Sequence, residues 1–379
     1  MTPPTTRRSV AFVLASWRPD APAGMERATA ALATGLTQAG HHAVIVTAAP
    51  QPHQPGLPGV QVEALTCLRV TFPCDDLTLR EAITRDEHVI AEQLARILTR
   101  YRADTVVFVD ALWGLGRLHA ELPARRVLAA HVLGHDADLR PALARADVVI
   151  APSPVVLAQA AGAGWNTTDW RIVPNALLHD PETGPQPPHA VREELRRAGP
   201  VRVLARLGPE KGVAELLAAA HDWDRPLEVA LAKADFEAEH GAQQTLLRRC
   251  QQLAEASKSA RVRDGLPWQA VPGWLAGAAV VIVPSLAETF GLVAAEALGV
   301  GTPVVAYRLG HLPALIGESD DGAGGVLVEP GEGPAGLLRA AEALLADSLR
   351  YGAISRAAYY RSRDFRPLRV AECFVEAVS

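Results

Sequence analysis

The sequence predicts two doubly wound α/β domains in tandem, on three observations. Short β-branched runs alternate with amphipathic stretches from one end of the chain to the other, the sequence form of repeated βα units and parallel sheets. The chain has 379 residues, more than one hydrophobic core usually serves. A stretch crowded with Pro, Gly and polar residues, LLHDPETGPQPPHA (177–190), divides the series in two.

In the first half, strands are expected at SVAFVLAS (9–16), HAVIVTA (42–48), TVVFVD (105–110), RRVLAAHV (125–132), DVVIAPS (147–153) and RIVPN (171–175). Helices are expected at 25–39, 80–102 and 154–162. The second half repeats the pattern with VRVLARL (201–207), LEVALAK (227–233), AVVIVPS (279–285), PVVAY (303–307) and GVLVEP (325–330). The expected organisation is an N-terminal domain over 1–180, completed by a terminal helix near 360–379, a linker over 181–198, and a second domain over 199–359. Ligands of open α/β sheets bind beyond the carboxyl ends of the strands, so an active site is expected in a cleft between two such sheets, drawing on both halves.

Composition narrows the function classes. Apolar residues make up 49% of the chain and aromatics 5%, which suits Ala/Val/Leu strands and helices better than an aromatic-rich sandwich. A formal charge of -5 favours neither nucleic acid nor an anionic membrane as partner. Cys67, Cys74, Cys250 and Cys373 form no CxxC pair and have no histidine cluster beside them, so a reducing cytoplasm is the simplest compartment. The opening TTRRSVAFVLASWRPD has the charge and apolar run of a weak signal peptide, yet charged and proline residues follow at once and a small-residue cleavage site is missing; it reads as a strand. No apolar segment approaches the roughly 20 residues of a membrane span. The helix at 88–102 carries arginines, but a core-facing role is expected for it, with membrane association disfavoured. Lysine occurs only at Lys211, Lys233 and Lys258 in an arginine-rich chain, a bias that suggests GC-rich coding such as that of an actinobacterium.

The most informative segment is VPSLAETFGLVAAEALGVGTPVVA (283–306). A strand ends near Ser285, a loop carries Glu288, and a helix is expected to start at Thr289 to Gly291 and to stop at Gly299, Gly301 and Pro303. Eight residues at helical rise put the backbones of Glu288 and Glu296 about 12 Å apart. Glycosidase carboxylates acting on one bond sit roughly 5 to 10 Å apart, so the pair suits two ends of an extended ligand better than an acid/base dyad. Between them lies a helix N-terminus, which favours an anion, and Gly291 permits close backbone approach. Hydroxyls at both ends and phosphate between them describe a nucleotide sugar.

This segment resembles the E-x7-E signature of the retaining glycosyltransferases of family 4, which have the GT-B fold of two facing Rossmann-like domains. Other motifs occur in the family's order: PAGMERATAALATGLTQAGHHAVIVTA (22–48), VVIAPSPVVLAQAAGAGWNTTDWRIVPNAL (148–177), ARLGPEKG (205–212), GGVLVEPGE (324–332) and DFRPLRVAECFVEAV (364–378). The resemblance implies transfer of a hexose-type sugar from a nucleoside-diphosphate sugar, UDP-sugar ahead of GDP-sugar, to a hydroxyl. The family's reaction is described as a metal-independent front-face displacement in which the leaving phosphate takes the acceptor proton, and no nucleophile elbow is present.

By the same resemblance Arg206 and Lys211 stabilise the departing diphosphate, Glu288 accepts hydroxyls of the donor sugar and Glu296 those of the ribose. The N–H groups near Phe290, Gly291 and Leu292 meet sugar and phosphate, Gly24 lets the first helix face the diphosphate, and His131 contacts the donor sugar, with His135 as its rival. Catalysis would thus rest on His131, Arg206, Lys211 and Glu288. The family usually has two glycines where this chain has Ala23 and Gly24, and a Gly-x-Gly where it has LEVALAKADFEAEHG (227–241), beside the nucleobase pocket. DAD (136–138) and DWD (222–224) resemble a metal-binding DxD, but no metal or other cofactor is expected because the cations do that work.

The acceptor is expected at Trp17 to Glu26, Asp110 to Trp113 and His131 to Asp138. Asp110, Trp113, Asp136 and Asp138 are its candidate contacts. Acidic loops with few basic residues suggest a small polyol or amine-bearing acceptor, such as an aminocyclitol or a natural-product core, rather than a phosphorylated one. The same fold also supports phosphorolysis, nucleotide-sugar epimerisation or ligand binding without turnover. The oligomeric state is left open, a dimer included.

Overall fold

The computed structural model of the chain describes residues 7–18, 24–49, 57–234, 241–318 and 322–379. It divides into two compact units, one made of the described residues up to Leu178 together with Pro367–Ser379, the other of His179–Arg366.

The first unit runs β1 (Ser9–Ser16), α1 (Gly24–Gln38), β2 (His42–Ala49), β3 (Val60–Ala64), α2 (Asp76–Arg100), β4 (Thr105–Val109), β5 (Arg125–Ala129), α3 (Asp136–Arg145), β6 (Val148–Ala151), α4 (Pro154–Gly162) and β7 (Arg171–Ile172). Its seven strands are all parallel, in the order β3-β2-β1-β4-β5-β6-β7. The strands β1 and β4 are buried along almost their whole length, as runs such as VAFVLA require of a sheet covered on both faces. The apolar stripe of α2, including Ile90, Leu94, Ile97 and Leu98, is buried in this unit. The core-facing role expected for 88–102 is thus seen in these residues. Among the described residues no helix is long and apolar enough to cross a membrane.

The second unit runs α5 (His189–Ala198), β8 (Val201–Arg206), α6 (Val213–Ala219), β9 (Leu227–Ala232), α7 (Ala242–Ala256), β10 (Ala260–Asp264), α8 (Val271–Ala276), β11 (Val280–Val283), α9 (Leu292–Gly299), β12 (Val304–Tyr307), α10 (Leu312–Ile316), β13 (Gly325–Val328), α11 (Gly333–Ala346) and α12 (Ser348–Ser362). Its parallel sheet has the order β10-β9-β8-β11-β12-β13, the doubly wound arrangement in which strand order reverses between β8 and β11. One of its core clusters gathers Val203, Val229, Ile282 and Val305 on a single face of that sheet, with Leu217 and Leu344 packed over them.

Several elements depart from the sequence reading. The strands β3 and β10 were not expected, and both lie at sheet edges, where Gln61, Glu63, Arg261 and Arg263 interrupt the apolar pattern. The expected linker at 181–198 ends early, because α5 occupies 189–198 and belongs to the second unit. The side chain of Arg192 anchors it, donating to the Ala278 carbonyl (2.9 Å), the Val300 carbonyl (2.8 Å) and Thr302 Oγ1 (2.7 Å). The expected terminal helix at 360–379 is two elements: α12 ends in the second unit at Ser362, and α13 (Pro367–Ala377) packs on α1 of the first unit. Pro367 opens α13, where a missing N–H costs nothing. Phe374 meets Phe12 at 6.3 Å between ring centroids.

DAD (136–138), expected in a loop, forms the first turn of α3. Asp138 is buried and takes two guanidinium groups: Arg80 Nε and Nη2 donate to Oδ1 (3.0 Å) and Oδ2 (2.6 Å), and Arg117 Nη1 donates to Oδ1 (2.6 Å). Removing one member of such a buried network leaves charge without compensation. Asp138→Ala should therefore destabilise the first unit by about 3 kcal/mol. Urea unfolding followed by circular dichroism measures this, and a loss below about 1 kcal/mol would mean the arginines find other partners.

Candidate functional site

In the second unit the predicted donor residues collect at the carboxyl ends of β8 and β11, the point where strand order reverses. Arg206 is the last residue of β8, and a 3-10 turn at Pro209–Lys211 follows. Glu210 pairs with the Arg206 guanidinium, and its carbonyl accepts the Leu286 N–H (2.8 Å), which ties this turn to the segment after β11. Across that seam Lys211 Nζ lies 2.6 Å from Glu288 Oε1, with side chains 20% and 13% exposed. The spacing of the sequence could not show this pairing, which joins residues 77 positions apart.

The helix α9 starts at Leu292, one residue beyond the expected range, and Gly291 caps it at φ 93°, a conformation that a side chain would strain. The N–H groups of its first turn have no partner within the helix and point beyond its start. Glu296 is half-buried in the second turn of α9. Phe290 is buried, its ring stacked on His311 (5.6 Å, 23°) and edge-on to Phe365 (5.5 Å, 88°). Its side chain therefore serves packing, and what it offers a ligand is main chain. Arg206, Lys211, Glu288, Phe290, Gly291, Leu292 and Glu296 thus fall within one region of one unit.

The first unit places the remaining candidates at the carboxyl ends of its own strands. Gly24 is the first residue of α1; Ala23 lies outside the described residues, as do 19–22. In the first turn, buried Glu26 accepts the Ser16 hydroxyl at 2.7 Å. His131 follows β5 and lines a cavity beneath α1 with Thr29, Leu32, Pro152 and Asn175. Burial pushes its imidazole down to about 4, so it is neutral at pH 7. His135 instead caps α3, its Nδ1 accepting the Ala137 N–H at 3.1 Å.

Asp110 follows β4 at φ 100°, an uncommon conformation for a residue with a Cβ. Its Oδ1 accepts the Leu112 N–H at 3.0 Å, while Oδ2 is buried with no hydrogen-bond partner among the described residues. Burial pushes the carboxyl up to about 7, against the pull of the Leu112 and Trp113 N–H groups, with Asp138 and Asp76 adding repulsion. Trp113 is half-buried, and its carbonyl accepts the Ala15 N–H at 2.6 Å. Of the acidic residues expected to face an acceptor, Asp136 is exposed, Asp110 is enclosed in its own turn, and Asp138 is occupied by Arg80 and Arg117. Among the described residues, then, two of the three carboxylates expected to face an acceptor are turned inward by burial, and Asp136 alone of the three is exposed. Among the described residues no group of three His, Cys, Asp or Glu could hold a metal ion.

Sequence profiles cover both units. The glycosyl transferases group 1 profile matches residues 200–347, and that of glycosyltransferase family 4 matches residues 22–178. The chain carries a glycosyltransferase family 4 domain and a glycosyl transferases group 1 domain. Relatives of the chain include a D-inositol 3-phosphate glycosyltransferase 1 from Catenulispora acidiphila, 44% identical over 26% of this chain and 24% of that protein. Another is the D-inositol 3-phosphate glycosyltransferase of Corynebacterium jeikeium, 41% identical over 33% of this chain and 30% of the relative. The matched stretches thus span about a quarter to a third of the relatives' length. Solved structures of the same fold include sucrose-phosphate synthase from Thermosynechococcus elongatus (TM-score 0.74, 20% identity, 95% of both chains) and Anabaena HepE in complex with UDP and glucose (TM-score 0.73, 19% identity, 98% of this chain and 99% of that one). The fold is GT-B, with two parallel-sheet units.

Two residues of this region were given no role from the sequence. Glu210, the counter-ion of Arg206, had a signal in its i,i+4 spacing; His311 had none, because its contact with Phe290 exists only in the folded chain.

Asp110 and His131 set opposing pH slopes. The folded Asp110 keeps its proton to about pH 7, whereas its ordinary value is 3.8, so its contribution to stability is full below about pH 4 and is lost as pH rises to 7. The folded His131 stays neutral to about pH 4 against an ordinary 6.5, so its contribution is present above pH 6.5 and is lost as pH falls to 4. The two nearly cancel between pH 4 and 6.5. Asp110→Asn keeps the acceptor for Leu112 and removes one slope. The stability of the variant relative to wild type should therefore rise with pH, by up to about 1.4 kcal/mol per unit between pH 4 and 7. Urea titrations at pH 4.5, 5.5 and 6.5 check it; a constant difference would show that Asp110 is ionised throughout.

Proposed function

We propose that the protein is a retaining glycosyltransferase that moves a hexose-type sugar from a nucleoside-diphosphate sugar, UDP-sugar first, to a hydroxyl of a small polyol in the cytoplasm. The observation that carries this reading is the Lys211–Glu288 pair beside Arg206 at the β8/β11 switch point, next to the start of α9. A diphosphate would draw on Arg206, Lys211 and the first-turn N–H groups of α9, which neutralise the charge that grows as the glycosidic bond breaks. Glu288, released from Lys211, would accept hydroxyls of the donor sugar, and Glu296 those of the ribose. As the bond between the anomeric carbon and the phosphate oxygen breaks, that phosphate oxygen takes the proton of the acceptor hydroxyl, whose own oxygen bonds to the anomeric carbon on the face the phosphate leaves, which retains its configuration. Neutral His131 can accept or donate a hydrogen bond to the donor sugar without adding charge.

The relatives named D-inositol 3-phosphate glycosyltransferase support a cyclitol as acceptor. The preference for an amine-bearing acceptor rested on Asp110, Asp136 and Asp138, and two of these are now enclosed or paired. A cyclitol hydroxyl is therefore the better reading.

A thermal-shift screen against UDP-, GDP-, ADP- and dTDP-sugars tests the donor. At 100 times its dissociation constant the right donor adds about 2.7 kcal/mol, an increase of several degrees in Tm. A flat response to all four would sink the proposal. With that donor, inositol phosphate, inositol and an aminocyclitol are offered in turn, and the anomeric coupling of the product is read by NMR; inversion would overturn the front-face mechanism. Lys211→Ala should lower kcat by roughly 10²- to 10³-fold with the fold intact, the scale of losing one preorganised charge-stabilising donor.

A further inference from the structure

We infer that His311 is a positioning residue for the donor site, its ring holding Phe290 so that Glu288 and the start of α9 stay in register with Lys211. The inference rests on the donor-site reading above. Residues 286–291, between β11 and α9, have no regular secondary structure, so contacts from elsewhere must define their path. One set comes from the turn after β8, through Leu286 and through the Lys211 ammonium. The other comes from residues 310–315. The His311 N–H donates to the Glu288 carbonyl at 3.3 Å, and the His311 ring stacks on Phe290. Leu312 and Leu315 pack where a side chain on Gly291 would otherwise stand.

Gly310 makes this approach feasible. It has φ 55°, and a Cβ there would run into the Glu288 carbonyl oxygen. The turn therefore lies directly against the main chain that bears Glu288. Phe290 is gripped on its other side by the edge of Phe365, in the 3-10 turn Arg363–Phe365. That turn is itself fixed: Arg363 bonds to Glu182 (2.9 Å), and Arg366 bonds to Glu182 (2.7 Å) and Asp180 (3.2 Å). The Phe290 ring thus sits between a restrained turn and the His311 ring, and its backbone carries the N–H groups at the mouth of α9. Burial lowers the His311 pKa, so a neutral ring makes the stack at pH 7. An aromatic pair of this kind is too weak to decide folding but strong enough to decide where a loop rests.

The test compares His311→Ala with His311→Phe, which keeps a ring on Phe290. In unliganded protein, amide exchange over 286–292 should be several-fold faster in His311→Ala and close to wild type in His311→Phe. Donor affinity, measured by calorimetry with the nucleotide sugar picked out by the screen, should weaken roughly 3- to 10-fold in His311→Ala, the range expected for one aromatic pair, and return to within about twofold in His311→Phe. The acceptor KM should move less than about twofold in either. Unchanged exchange in His311→Ala would overturn the positioning role. So would a His311→Phe variant as impaired as His311→Ala, since the imidazole would then be touching the ligand itself. Exchange needs no donor, so a wild-type protein that binds no nucleotide sugar would overturn the donor reading and His311's part in binding, while the exchange comparison still reports on the clamp.

Discussion

The contact between Lys211 and Glu288 is the constraint around which the second unit's site is built. An ion pair in water is worth little, but these two side chains are mostly withdrawn from solvent, where their contact at 2.6 Å is screened less than a surface pair would be. Each partner belongs to a loop at the end of a neighbouring strand, so the pair can exist only if β8 and β11 lie side by side with a turn and a coil converging above them. The remaining features of the region serve that convergence. Glu210 joins the two loops through its carbonyl, Gly291 turns the chain into α9, and the 310–315 turn closes on the main chain of Glu288. A ligand that brings both hydroxyl groups and negative charge can take over the role of each partner. An apolar ligand could do neither, and separating the pair for it would cost more than it returned.

The first unit uses its charges differently. Asp138 is satisfied internally by Arg80 and Arg117, which join α2, the loop after β4 and α3 into one piece. Asp110 is enclosed with a single acceptor oxygen in use, and in that surrounding it holds its proton into the neutral range. His131, at the end of the adjacent strand, is neutral for the same physical reason acting on the opposite charge type. Burial thus removes net charge from the carboxyl ends of β4 and β5, where the sequence alone suggested an acidic surface.

Most of the strand and helix pattern could be read from the chain because parallel, doubly covered strands carry continuous β-branched runs, and β1, β2, β4 and β8 began where those runs begin. Edge strands β3 and β10 escaped notice because solvent reaches one side of each and lets polar residues break the run. The helix α5 was taken for linker because its arginines and glutamates resemble a solvated segment, although Arg192 is in fact driven inward to cap three buried oxygens.

By itself the sequence determined the fold class and the resemblance to glycosyltransferase domains, because both are written in local order: the period of the apolar runs, the glycine before a helix, and one glutamate just before α9 with a second within it. The tertiary structure alone decided which charges are available. Lys211 met Glu288 across 77 residues, Arg80 met Asp138 across 58, and His311 met Phe290 from a different strand end. Such pairings depend on strand order and on the depth at which each side chain is buried, and neither is recorded in the spacing of residues along the chain.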